Sequence, residues 1–136
     1  MANAALMRKL RLKAGGRIAI INAPQDYMDA LGELPDDVSI EEVPMKGLDF
    51  VHLFVRDVAQ LQRYGPIAIG AVRYDGVLWI SYPKKSSAIR ADISRDHGWD
   101  VITRAGLRPV SQISIDDTWS ALRFSPAHEV GGARAE

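Results

Sequence analysis

Apolar residues in this chain gather into short dense runs separated by polar, glycine- or proline-bearing stretches. Arg17-Ile18-Ala19-Ile20-Ile21-Asn22, Leu48 to Val55 and Val77-Leu78-Trp79-Ile80-Ser81-Tyr82 are three such runs. Each has the length of a strand and lies between turn residues, the pattern of strands covered on both faces. Between them the period changes. Gln25 to Leu31 puts Tyr27, Met28 and Leu31 on one side of a short helix, with Pro24 near its first turn, where proline is tolerated. Val58, Leu61 and Tyr64 recur at helical spacing behind Asp57, a good capping residue, and Pro66 is read as restarting that helix through Val72.

Val38, Ile40 and Val43 alternate with polar neighbours as in a half-exposed edge strand, which Pro44 stops. Asp75-Gly76 reads as a turn into the third run. A polar loop from Pro83 to Ser87 precedes an expected helix over Asp92 to Ala105, with Gly106 as its stop. Val110 to Ile115, the Asp116-Asp117 turn and Thr118 to Phe124 read as a hairpin. Ala2 to Leu10 could form a helix with Leu6 and Leu10 on one face. Residues 1–14 and 126–136 are expected to be a flexible lead and tail around one domain spanning 1–136. Strands alternating with helices imply parallel pairing, so the expected fold is α/β: three layers around a mostly parallel, mixed sheet with an antiparallel hairpin strand at its end.

Composition narrows the function. At 136 residues the chain has the size of one domain. Seventeen basic side chains balance seventeen acidic ones, so there is no net field to draw nucleic acid. Arg8, Lys9, Arg11, Lys13 and Arg17 make a basic start, but no aromatic residue stands among them, and a solvated face is the better reading. The absence of cysteine removes disulfides, thiolate metal sites and a cysteine nucleophile. No apolar stretch is long enough to span a membrane and no secretion signal opens the chain, so a cytoplasmic location is expected. No histidine–carboxylate spacing makes a metal site, and no cofactor is assigned. Self-association is left open.

Leu12-Lys13-Ala14-Gly15-Gly16-Arg17-Ile18-Ala19-Ile20-Ile21 and Tyr74-Asp75-Gly76-Val77-Leu78-Trp79-Ile80 resemble strands of Rossmann-like methyltransferases. That resemblance implies one reversed strand tucked beside the last parallel one, and here a fold short of one helix and one strand. The ordered chain also resembles a bacterial family known as domain of unknown function three thousand and fifty-two. Asn22-Ala23-Pro24, Asp49 to Phe54, Ser81-Tyr82-Pro83-Lys84-Lys85-Ser86-Ser87 and Asp116-Asp117-Thr118-Trp119-Ser120 carry this likeness, which brings no activity with it. Two departures from working methyltransferases stand out. Their first loop carries Gly-x-Gly, whereas this one reads Asn22-Ala23-Pro24-Gln25. Only Glu41 or Glu42 stands where an acidic residue would hold a ribose.

Ligands of open α/β sheets bind at the carboxyl ends of the strands. The expected strand directions put Asn22 to Gln25, Phe54 to Asp57, Ser81 to Ser87 and Asp116 to Trp119 there. The candidate ligand-binding residues are therefore Asn22, Pro24, Ser81, Lys84, Lys85, Ser86, Ser87, Asp116, Asp117 and Trp119, with Asn22, Ser81, Lys84, Lys85, Ser86 and Asp116 expected around one crevice. Lys84 to Ser87 offer charge and donors to an anion, or form a solvent-facing loop. Ser81 and Lys84 match Ser-x-x-Lys, but Pro83 follows a strand and an extended chain separates the two. Asp116 and Asp117 could exchange protons or simply build the turn. Trp119 is a stacking platform or core, and His52 a satisfied interior residue. Two functions follow: a protein binding a nucleotide-like or other anionic metabolite, or a non-catalytic interaction or regulatory module.

Overall fold

The computed structural model describes residues 4–40 and 46–126. Its elements are α1 (Ala4–Leu10), β1 (Arg17–Ile21), α2 (Gln25–Leu31), β2 (Ser39–Ile40), β3 (Leu48–Phe54), α3 (Val58–Ala71), β4 (Val72–Pro83), α4 (Asp100–Arg104), β5 (Leu107–Ser114) and β6 (Trp119–Pro126). One six-stranded sheet has the order β2-β1-β3-β4-β6-β5. β1 pairs parallel with β2 and β3, and β3 with β4. β6 runs antiparallel to both its neighbours, so β5 points the same way as the four parallel strands. The expected mixed sheet, with a reversed strand inserted near its end, is the observed one.

Alternation along the strands sends side chains to two buried faces. Ala19, Ile21, Val51, Leu53, Leu78, Ile80, Leu122 and Phe124 pack with Leu61, Ala68 and Ala71 of α3 and Ile102 of α4. Ile18, Phe50, Phe54, Trp79, Trp119 and Ala121 pack with Leu6, Met7 and Leu10 of α1 and with Tyr27 and Leu31 of α2. Covering both faces explains why the central strands read as unbroken apolar runs.

The structure corrects four expectations. The lead segment is not loose from Ala4 on: Leu6, Met7, Leu10 and Leu12 are buried, and the Trp79 indole Nε1–H donates to the Leu10 carbonyl at 2.7 Å. Helix α3 does not restart at Pro66 but runs through it. Pro66 and Gln62, whose carbonyl loses its helical donor, both lie on the exposed side, where water can replace that bond. Asp75-Gly76 lies within β4, where the register steps from Leu48↔Val72 to Phe50↔Val77 and the intervening residues bow outward. Arg73, ion-paired to Asp49 and Asp75, ties the bow down. A Cβ at Gly76 would stand 3.0 Å from the Leu48 and Asp49 carbonyl oxygens, which explains the glycine. Finally, the helix expected over Asp92–Ala105 is confined to Asp100–Arg104. Gly98 adopts φ 102, which no helix admits, and Ser94 and His97 close a separate turn. Val43, Pro44 and the expected tail beyond Pro126 lie outside the described residues.

Candidate functional site

Because β1, β3, β4 and β5 share one direction, the segments that follow them lie along one edge of the sheet. Their side chains do quite different work.

At the end of β1, Asn22 takes a left-handed φ of 62. Asparagine tolerates that region better than most residues. Its Nδ2 donates to the Phe54 carbonyl at 2.9 Å and to Gln60 Oε1 at 3.3 Å. The side chain therefore spans from β1 to the end of β3 and the first turn of α3. This is the place where the chain, after β1, turns outward to β2 and then returns to β3. Amides at the entrance of α3 are also taken. Asp57 accepts from Gln60 N, Asp92 from Val58 N, and Gln60 Oε1 from Arg56 N. Pro24 sits ahead of α2 as its N-cap, without a side-chain cap.

Ser81 points inward. It is fully buried, and its Oγ lies 2.7 Å from His52 Nε2, while His52 Nδ1 lies 2.9 Å from the Tyr27 hydroxyl. The chain Tyr27–His52–Ser81 links α2, β3 and β4 beneath the edge. Burial lowers the His52 pKa to about 3 and raises that of Tyr27, so both are neutral. A neutral imidazole offers one donor and one acceptor, which two hydroxyl neighbours satisfy. His52 is the satisfied interior residue that its apolar neighbours implied.

Past Ser81, β4 ends at Pro83 and the chain becomes cationic. Lys84 N donates to the Thr118 carbonyl at 2.7 Å and Lys84 Nζ to Ser114 Oγ at 2.7 Å, which lays the ammonium across the end of β5. Ser87 N and Oγ both donate to the Lys84 carbonyl, at 3.0 and 2.8 Å, folding 84–87 into a turn. Two hollows meet at this segment. One, of about 430 Å³, is lined by Lys84, Lys85, Ser87 and Arg90 with Ile89 and Ile93 behind them. The other, of about 350 Å³, is lined by Lys84, Lys85, Ser86 and Arg95 with Tyr82. No carboxylate lines either hollow, and neither Lys85, Arg90 nor Arg95 is ion-paired among the described residues.

Of the ten candidates, then, Lys84, Lys85, Ser86 and Ser87 surround hollows. Asn22, Ser81 and Asp116 line neither of them. Asp116 Oδ1 accepts from Thr118 N and Trp119 N, both at 2.8 Å, and so builds the β5–β6 turn. Asp117 is exposed beside it. Trp119 is core, edge-on to Phe54 with ring centroids 5.2 Å apart. Glu41 and Glu42 lie outside the described residues. Arg90 and Arg95 are the additions that sequence reasoning missed. The available signal was four cations within twelve residues, 84 to 95, with Asp92 the only acid among them.

Solved structures supply the comparison. The Methanococcus jannaschii fibrillarin pre-rRNA processing protein superposes with a TM-score of 0.60 at 12% identity, over 85% of this chain and 68% of that one. A SAM-dependent methyltransferase from Aquifex aeolicus gives 0.56 at 12% identity, over 89% and 87%. The DhpI–SAH complex gives 0.57 at 11% identity, over 90% and 82%. No protein-family model and no curated protein sequence matches the chain. The fold is that of a Rossmann-like methyltransferase.

Proposed function

We propose that this chain binds an anionic small molecule, nucleotide-like or otherwise phosphorylated, at the end of β4. The carrying observation is the pair of hollows around Lys84 and Lys85, where four cations meet no carboxylate. In a chain of zero formal charge, that local excess is a field aimed at an anion. Lys84 and Lys85 are the anchoring charges, Arg90 and Arg95 the flanking ones, and Ser86 and Ser87 supply neutral donors. Ile89 and Ile93 give the larger hollow an apolar wall for the ligand's body. Membership of domain family three thousand and fifty-two is part of this reading, since Ser81 to Ser87 is one of the stretches that carries the likeness.

Adenosylmethionine is what the fold neighbours bring to mind, two of them being named for SAM or SAH. The residues here do not fit that group held at the first loop. Asn22 fills the gap between β1 and β3, and Asp57, Asp92 and Gln60 occupy the amides at the α3 entrance. A glycine loop lets backbone approach a ligand; a side chain locked across the gap prevents it. The same closure favours a second reading, a module that kept the fold and uses its surface for interaction or regulation. A thermal-shift screen of ADP, inorganic pyrophosphate and adenosylmethionine tests both, because a ligand held by the native state raises its melting temperature. A rise with ADP or pyrophosphate, and none with adenosylmethionine, supports the anion site; no rise with either anion sinks it and leaves the interaction module.

A further inference from the structure

Strand β5 closes one side of the sheet: it pairs with β6 and, among the described residues, with no strand beyond it. An edge strand carries a row of unpaired N–H and C=O groups that a further strand can meet. Which residues hold that row follows from the turn after β5. Ile115 N donates to the Trp119 carbonyl at 3.0 Å, toward β6. Alternation then turns Ile113 toward β6 as well, and leaves the N–H and C=O of Gln112 and Ser114 facing outward. The first half of the edge is guarded. Pro109 has no N–H, and Val110 is an extra residue, because the register steps from Pro109↔Phe124 to Ser111↔Arg123. From Ser111 to Ile115 there is no proline, no glycine and no charge.

Charge stands at the two ends of this open stretch instead. Arg108 is exposed, and its Nη1 reaches only the Thr103 and Leu107 carbonyls. Asp117 is exposed and has no ion pair among the described residues. The two stand nine residues apart, roughly 25 Å at about 3.3 Å per residue, too far to pair within one chain. Their placement is symmetric about Ile113. Arg108 precedes it by five residues, or four ladder positions once the extra Val110 is discounted, and Asp117 follows it by four. We infer that β5 pairs antiparallel with β5 of a second copy of this chain, about a two-fold axis at Ile113, setting Arg108 of each copy against the Asp116–Asp117 turn of the other. Gln112 then lies opposite Ser114 of the second copy, and the two exchange their outward N–H and C=O groups. The two Ile113 side chains meet as a β-branched cross-strand pair. An axis at Gln112 would set Arg108 against Ile115 and leave both charges unanswered. With zero formal charge, no overall repulsion opposes the approach of two copies.

Sedimentation of the full chain from micromolar to millimolar concentration tests the pairing. A contact this short belongs with weak, transient interfaces, so dimer should build up across that range. Arg108→Glu and Asp117→Arg each bring like charges together at both ends, and each should raise the dimer Kd about tenfold or more. An equimolar mixture of the two variants joins opposite charges again and should restore a dimer close to that of the wild type. Both changes fall on exposed side chains, so the melting temperature of dilute protein should hold. Amide exchange reads the register: Gln112 and Ser114 should gain protection as concentration rises, whereas Ile113 and Ile115, already turned to β6, should not change. A chain that stays monomeric at millimolar concentration, or a dimer that neither charge reversal weakens, would overturn the proposal. So would protection of Gln112 and Ser114 that is the same at every concentration, since the edge would then be covered within one chain.

Discussion

Acid should unfold this protein through His52, and the size of the effect can be worked out. The ring is fully buried between Tyr27 and Ser81, and burial lowers its native pKa to about 3. In the unfolded chain it titrates near an ordinary pKa of about 6.5. Between those values the unfolded state binds a proton that the native state does not, so stability falls as pH falls. Integrating the linkage from about pH 7 to about pH 4.5 gives a loss of about 2–3 kcal/mol from this one residue. Urea denaturation at the two pH values measures it, followed by the fluorescence of Trp79, Trp99 and Trp119, all of which are buried. With ordinary urea slopes the midpoint should drop by roughly 1–2 M from this cause. His52→Gln keeps a donor and an acceptor but cannot titrate. It costs a constant amount at both pH values, and its own acid loss should be smaller than wild type by about 2–3 kcal/mol. Asp49, held below the usual carboxylate range by the Arg17 N–H and by Arg73, adds acid sensitivity to both proteins and cancels in the difference. Equal acid losses in wild type and His52→Gln would refute the reasoning.

Two further predictions concern packing. Trp79→Phe removes the donor to the Leu10 carbonyl and part of a fully buried ring, and should cost about 2–4 kcal/mol in urea denaturation, with α1 amides losing hydrogen-exchange protection first. Gly98→Ala puts a Cβ 2.9 Å from Val58 Cγ2 at φ 102 and should cost about 1–3 kcal/mol; an unchanged midpoint would mean the 92–99 loop has another conformation.

Much of this fold is written in local pattern. Strands β1, β3 and β4 are dense apolar runs because helices cover both faces, and α2 has the expected bounds because Pro24 and Gly32 punctuate it. What escaped depends on contacts distant in sequence. The positive φ of Gly98 truncates α4, and Pro66 is harmless because its side of α3 meets solvent. The bow at 73–76 exists because Arg73 finds Asp49, and no period announces it. The site was legible only by its edge. Strand direction placed Ser81, Lys84 and Asp116 together, but which way each side chain turns follows from register. Ser81 faces inward because its pairing with Phe54 and its alternation with Ile80 and Tyr82 put it on the His52 side. Arg90 and Arg95 escaped notice because the loop from 84 to 99 is held by capping and turn bonds, such as Asp92 to Val58 N, that leave no periodic trace.

The most direct test of the anion site at β4 is calorimetric titration with inorganic pyrophosphate of wild type and of Lys84→Ala and Lys85→Ala. Hydrogen bonds to charged groups are worth about 1.5–3 kcal/mol, so losing either lysine should weaken binding about tenfold or more. Lys85 is exposed and Lys84 half-exposed, so their melting temperatures should hardly change. Pyrophosphate binding that is absent from wild type, or that neither lysine substitution weakens, would contradict the account.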